Sequence, residues 1–170
     1  MTLPPTISTE RLTLRPFEMR DLDGYLAYYT GGRTDGVGGP LSRQNAVNRF
    51  FAMAGQWALR GYGRYAISLS DTAIGHTGVL HSDPADPAEL TWTLWTDAQE
   101  GQGYATEAAQ AVLSEWTGPA LIARIAPDNA ASIRVAERIG MRFDSEATPR
   151  GCAPSMHTYR AETGAERPGT

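Results

Sequence analysis

Between Glu89 and Trp116 the spacing of apolar residues changes period once. From Glu89 to Trp95 it alternates, which puts Leu90, Trp92 and Leu94 on one face of a strand. Further on the apolar positions are Ala105, Ala108, Ala109, Val112, Leu113 and Trp116, a single stripe along a helix. Between the two lies Glu100-Gly-Gln-Gly-Tyr-Ala105, a short glycine turn. The pattern therefore predicts strand, turn and helix in direct succession.

The rest of the chain reads in the same way. Thr9 to Arg15 alternates, with Leu12 and Leu14 together, and stops at Pro16; it predicts the first strand. Asp21 to Tyr29 predicts a helix carrying Leu22, Tyr25, Leu26 and Tyr29. Gly31 to Pro40 holds five glycines and predicts a mobile loop of the kind that borders binding sites. Ser42 is the N-cap of a second helix, Asn45 to Leu59, with Val47, Phe50, Phe51, Ala54 and Trp57. Arg64 to Leu69 and Ala73 to Leu80 predict a hairpin about Ser70-Asp71, and prolines break His81 to Ala88. After Trp116 come a strand from Leu121 to Ala126 and a helix opened by Asp128-Asn129. That helix turns Ile133, Ala136 and Ile139 inward and is closed by Gly140. Met141 to Glu146 and Ser155 to Ala161 predict a last hairpin around residues 147–154, and Thr163 to Thr170 a frayed tail. The order β, α, α, β, β, β, α, β, α, β, β implies a mixed sheet with an antiparallel first half and one central parallel crossover.

Composition narrows the function. The 170 residues, 41% hydrophobic and 20% charged, predict one globular domain over 1–170 with an ordered core from about 8 to 162. A net charge of −4 excludes a nucleic-acid binder held by bulk positive charge and mildly favours cationic partners. All 15 basic residues are arginine, which removes lysine Schiff-base chemistry and the P-loop signature. Cys152 is the single cysteine, so no internal disulfide and no cysteine metal cluster is expected, consistent with a cytoplasmic setting. The N-terminus shows no signal peptide, and no stretch is long enough to span a membrane.

The candidate chemistry sits on the glycine turn. Gly101 and Gly103 let backbone approach a ligand closely, and the first helical turn offers unpaired N–H groups and a positive dipole end. Together they predict a phosphate site, a pyrophosphate above all. Two other readings compete. One is the dinucleotide fingerprint, with Thr106 in place of its third glycine and Asp128 as the later acid, but too little chain follows for the second half of such a fold. The other is an ordinary strand-to-helix turn.

Four stretches decide between them by likeness. Thr9-Glu-Arg-Leu-x-Leu-Arg15, Ala88-Glu-Leu-Thr-Trp-x-Leu94, Gly101-Gln-Gly-Tyr-Ala-Thr-Glu-Ala108, and Asn129-Ala-Ala-Ser132 running on to Glu137-Arg-Ile-Gly140 occur in that order. The chain resembles the GNAT superfamily of acyl-CoA-dependent N-acyltransferases, in the branch of Rim-type ribosomal-protein N-terminal acetyltransferases. It departs from the broader superfamily at Glu100, where Gln or Arg is common, and in having no tyrosine near Val135. The resemblance implies an α/β (α+β) fold with a mixed, mostly antiparallel central sheet of six to seven strands flanked by about four helices. It also implies acetyl-CoA as cosubstrate, direct transfer to a primary amine, and no metal.

Carried onto this sequence, the resemblance implies that Gln102, Gly103, Tyr104, Ala105 and Thr106 hold the pyrophosphate. Leu94 and Trp95 would meet the pantetheine arm and polarise the thioester, and Asn129 and Ser132 would sit beside the cofactor. Ser132 would protonate the departing thiolate, and Glu89 would take the amine's proton directly or through water. Each residue has a plainer reading as well. Asn129 suits an N-cap, Glu89 a solvent-facing position, and Trp92, Trp95 and Tyr104 core or wall positions. Tyr159 and His157 suit packing or edge positions, and Cys152 an exposed loop. His76, His81 and His157 lack metal-ligand spacing. Glu100 is expected to point to solvent. The acidic loop Asp83-Pro-Ala-Asp-Pro87 would attract a cationic acceptor or simply be solvated. The acceptor stays open between a protein or peptide N-terminal α-amine and a small-molecule amine. A non-catalytic acyl-CoA sensor is the third possibility. The expected partners are acetyl-CoA and that amine, with no nucleic acid or membrane, in a monomer or homodimer.

Overall fold

In the computed structural model, residues 2–37, 39–147 and 155–161 are described. The strands are β1 (Ile7–Ser8), β2 (Thr13–Arg15), β3 (Arg64–Leu69), β4 (Thr72–Leu80), β5 (Glu89–Leu94), β6 (Ile122–Ile125), β7 (Arg142–Ala147) and β8 (Met156–Arg160). The helices are α1 (Leu22–Tyr29), α2 (Arg43–Arg60), α3 (Tyr104–Glu115) and α4 (Ala130–Arg138). All the strands join one sheet in the order β1-β2-β3-β4-β5-β6-β8-β7, in which only β5 and β6 run parallel.

Among the described residues the sheet has eight strands, against the six to seven expected. The extra one arises at the start, where a single strand from Thr9 to Arg15 was predicted. Thr9 N–H donates to the Leu12 carbonyl at 2.9 Å and the Leu12 N–H donates to Thr9 Oγ1 at 2.9 Å, so residues 9–12 form a turn; the predicted strand shortens to β2 and pairs with β1, which precedes the predicted segment. The Gly31 to Pro40 stretch is also more ordered than a plain loop, because Gly32–Val37 forms a short 3-10 helix. Ser42 caps α2, its Oγ accepting from the Asn45 N–H at 3.2 Å. The last hairpin pairs as expected, but β8 also pairs with β6 and leaves β7 at the edge. Cys152 and the frayed-tail segment lie outside the described residues.

The alternation in β5 separates two cores. Leu90, Trp92 and Leu94 face the cluster that contains Ala108, Ala109 and Val112 of α3, Ala136 of α4 and the C-cap residue Ile139. The opposite face carries α1 and α2, packed through Tyr25, Leu26, Tyr29, Phe50 and Met53, and Trp95 belongs to this second cluster. No helix among the described residues is long and apolar enough to cross a membrane.

The feature that creates the site is a gap in the sheet. Strands β5 and β6 are in register at one pair only, Glu89 with Ile122. Beyond that pair β5 runs on to Leu94 against β4 alone. Its ladder with β4 is also one-sided. Trp95 N–H donates to the Ile74 carbonyl at 2.9 Å, so by antiparallel alternation the odd-numbered residues bond β4. The amides of Trp92 and Leu94 point the other way, into the splay.

Candidate active site

A cleft of about 420 Å³ occupies the splay. One wall is the end of β5, at Trp92, Thr93 and Leu94. The floor is Gly101 and Gly103 with Tyr104, Ala105 and Thr106 of α3. The far wall is α4, at Asn129, Ala131, Ser132, Arg134, Val135 and Arg138, and Tyr28, Arg33 and Glu100 stand at the rim.

The floor is shaped by two glycines in the left-handed region, Gly101 at φ 72° and Gly103 at φ 81°. An L residue pays about 1 kcal/mol or more in that conformation, which explains glycine at both. Gly103 caps α3 without offering a side chain to its first turn. None of the N–H groups from Gln102 to Thr106 finds an acceptor among the described residues; the first amide to do so is Glu107, on the Gly103 carbonyl at 3.0 Å. Five successive donors and the positive end of a helix dipole are thus left for a ligand.

The turn is braced from the start of the chain. Arg11 Nη1 donates to the Gln102 carbonyl at 2.9 Å, Arg11 Nε donates to Glu107 Oε2 at 2.7 Å, and the Arg11 guanidinium lies 4.6 Å from the Tyr104 ring centre. Thr9 Oγ1 and the Arg11 N–H both donate to Glu107 Oε1, at 2.6 and 2.9 Å. Partial burial pushes the Glu107 carboxyl up, but these bonds outweigh it and hold it below the ordinary range. Sequence spacing gave no hint of this brace, because Arg11 lies some ninety positions before the turn.

The far wall carries a cap and two cations. Asn129 Oδ1 accepts the Ser132 N–H at 3.0 Å, so the capping reading of Asn129 holds while the residue also lines the cleft. Arg134 and Arg138, one helical turn apart, line the cleft with no ion pair among the described residues. Sequence reasoning passed over both, although their spacing after Ala131 already put them on its face of α4. Glu100 does not simply face solvent. Its carboxylate is 57% exposed yet paired with Arg33, which also holds Asp97 at 2.8 Å, so a cation shields the cleft from the acid.

Two predicted site residues lie elsewhere. Trp95 does not line the cleft; its indole is buried against α1 and donates from Nε1 to His76 Nδ1 at 3.0 Å. Glu89 also lies outside it, at the closed end of the splay and on the opposite sheet face, paired with Arg124 and 17% exposed. Burial pushes the Glu89 carboxyl up and Arg124 only partly offsets this, so the net shift is upward. Gln102 is exposed at the turn and contributes backbone only.

This geometry can be set beside known proteins. The family model for the acetyltransferase (GNAT) domain matches residues 11–142. The chain belongs to the GNAT acetyltransferases. It is 28% identical over 159 residues to an uncharacterized N-acetyltransferase, YnaD, of Bacillus subtilis, covering 85% of this chain and 89% of that protein. An acetyltransferase structure from Agrobacterium tumefaciens is 35% identical, with a TM-score of 0.84 over 94% of this chain and 95% of that one. RimL, a ribosomal-protein α-N-acetyltransferase solved with coenzyme A, shares the fold at 17% identity and a TM-score of 0.77, over 98% of this chain and 100% of that one. The protein is therefore an acyl-CoA-dependent N-acetyltransferase with the GNAT fold. Among the described residues no group of three or more His, Cys, Asp or Glu side chains is placed to hold a metal ion.

Proposed function

We propose that this acetyltransferase binds acetyl-CoA in the cleft and passes the acetyl group directly to a primary amine. The pyrophosphate rests on the amides of Gln102 to Thr106, with Arg134 and Arg138 meeting the remaining phosphate charge. The observation that carries the reading is the run of five acceptor-less amides at the start of α3. RimL, a likeness in fold, supports it as a protein solved with coenzyme A.

The reaction needs no covalent enzyme intermediate. The amine lone pair attacks the thioester carbonyl carbon, the C–S bond breaks, the amine loses a proton and the thiolate gains one. The Leu94 amide, aimed into the splay, is the donor we assign to the carbonyl oxygen, a contact worth a few kcal/mol. The Trp95 amide is already bonded to Ile74 and leaves that task to Leu94. Ser132 protonates the departing sulfur, a light task because thiols have a pKa of about 8.5. Glu89, five positions back along β5 and about 16 Å from the Leu94 amide, receives the amine's proton through a relay of waters, and its raised carboxyl suits a base more than an ordinary glutamate would. Holding both reactants in the splay supplies another large share of the rate.

The acceptor favoured by the Rim-type likeness is the α-amine of a protein or peptide N-terminus, which is closer to neutral at pH 7 than a lysine-type amine. Calorimetry with coenzyme A, followed by thiol release over N-terminal peptides, polyamines and aminoglycosides, tests the whole reading. Tight uptake and turnover of a peptide α-amine support it. Turnover of polyamines or aminoglycosides alone moves the enzyme to small molecules, uptake without any turnover makes it a sensor, and absence of uptake ends the proposal.

A further inference from the structure

On the sheet face opposite α3, Arg64 opens β3 with 6% of its surface exposed. Its guanidinium makes no hydrogen bond and no ion pair among the described residues. Its nitrogens are not among the fully enclosed unpartnered polar atoms of the described residues, which are Arg15 Nε and Tyr25 Oη. A buried cation without a counterion is a costly arrangement for a fold to keep.

The surroundings add positive charge and supply no acid to cancel it. Burial pulls the Arg64 guanidinium down to about 10, which leaves it charged at neutral pH. Arg49 of α2 lies 4.8 Å from the Tyr29 ring centre and is likewise without an ion pair among the described residues. Both arginines act on His76, which burial first of all holds well below its ordinary value and so keeps neutral. The His76 Nδ1 accepts from Trp95, so its Nε2 carries the proton and donates to Tyr29 Oη at 3.2 Å. The Tyr29 O–H is then free to donate elsewhere. The acid whose field reaches Arg64, Glu89, is ion-paired with Arg124 and makes no contact with Arg64.

The backbones of β3 and β4 meet closely beside Arg64. Its cross-strand neighbour is Gly78, which in turn faces Thr91 of β5. Gly78 has φ 133°, and a Cβ there would meet the Gly63 carbonyl oxygen at 2.4 Å, so β4 can approach β3 this closely at Arg64 only through glycine. The next row along the same face ends in Thr93, which lines the cleft, about 7 Å away along the strand.

We propose that Arg64, with Arg49 and the Tyr29 hydroxyl, binds a carboxylate of the acceptor while the acceptor's amine reaches the end of β5. The preferred substrates are then primary amines that also carry a carboxylate, as a free amino acid or short peptide does, or as an acidic side chain does at a peptide N-terminus. This rests on the acetyl-transfer reading above and names the acceptor class for it.

The test is acetyl-CoA-dependent thiol release with matched acceptor pairs. Amino acids and dipeptides are compared as free acids and as carboxamides, and C-terminally amidated peptides beginning with Asp or Glu are compared with those beginning with Asn or Gln. The carboxylate member of a pair should have a kcat/KM higher by about tenfold or more. Arg64→Met should bring the ratio close to one, mainly through KM, with coenzyme A affinity unchanged; Arg64→Lys should restore part of it. Arg49→Gln, at a half-buried position, should halve the preference or more and covers the case in which Arg64→Met fails to fold. The first set of pairs against the second tells an α-carboxylate from a side-chain one. Equal use of acids and amides, a preference unmoved by these variants, or normal coenzyme A binding with no carboxylate amine consumed overturns the proposal. Loss of coenzyme A binding by the unaltered protein would instead count against the acetyl-transfer reading itself.

Discussion

Arg11 and Glu107 are joined by a two-point contact, Nε and Nη2 each 2.7 Å from Oε2, while the same arginine holds the Gln102 carbonyl. One side chain therefore ties the β1–β2 turn to the glycine turn and to the first turn of α3. Arg11→Ala should weaken coenzyme A binding about three- to tenfold, because the turn must be ordered by the ligand instead. The loss of stability should be only about 1 kcal/mol, since the arginine is 41% exposed in this pair. Calorimetry and thermal unfolding separate the two effects.

Acid should undo the same brace. The folded Glu107 carboxyl titrates below its unfolded value of about 4.3, so its contribution is complete above that pH and is lost as the pH falls through the folded value. The contribution of Glu107 to coenzyme A affinity, read as the difference from Glu107→Gln, should be complete above about pH 4.3 and decline as the pH falls further. Glu107→Gln should weaken binding at pH 7 and flatten this contribution to the acid decline.

Gly103→Ala is expected to be costlier than its size suggests. The residue is at φ 81°, and the new Cβ would stand 3.4 Å from Arg11 Nη2. A stability loss of about 1–2 kcal/mol, read by denaturant titration, should accompany a larger drop in coenzyme A affinity. Equal affinity would mean that the amides of this turn do not hold the pyrophosphate.

Along α4 the cap and the proposed acid can be told apart. Asn129→Ala removes the acceptor of the Ser132 amide and should cost about 1 kcal/mol, a fall in Tm of about 2–4 °C. Ser132→Ala should leave Tm nearly unchanged and lower kcat about tenfold, a modest loss because a thiolate leaves readily. Undiminished turnover on a cognate acceptor would remove Ser132 from the mechanism.

Glu89 makes a pH prediction of opposite sign to Glu107. Its folded carboxyl is raised by burial, so it favours stability at low pH and loses that contribution as the pH rises through the folded value. As a base it must be ionised, so kcat/KM should rise along a limb centred above about 4.3. Glu89→Gln should abolish that limb and lower kcat; an unchanged profile would assign the proton to bulk water.

What the amino-acid order determined by itself is local. Period two from Leu90 to Leu94, helical spacing from Ala105 to Trp116, Ser42 and Asn129 at caps and Gly101 and Gly103 in the turn are all short-range consequences of backbone geometry. They yielded most of the elements, the crossover and the glycine turn at the start of α3. The tertiary structure decided what depends on distant residues meeting. Whether β5 and β6 stay paired beyond Glu89 and Ile122 is set by how the sheet splays, and that opens the cleft, turns the Leu94 amide into it and leaves Trp95 in the α1/α2 core. The reach of Arg11 to a turn ninety positions away, and the isolation of Arg64 on the opposite face, depend on the same assembly. Side-chain partners across such separations follow from packing, and packing leaves no periodic trace in a chain.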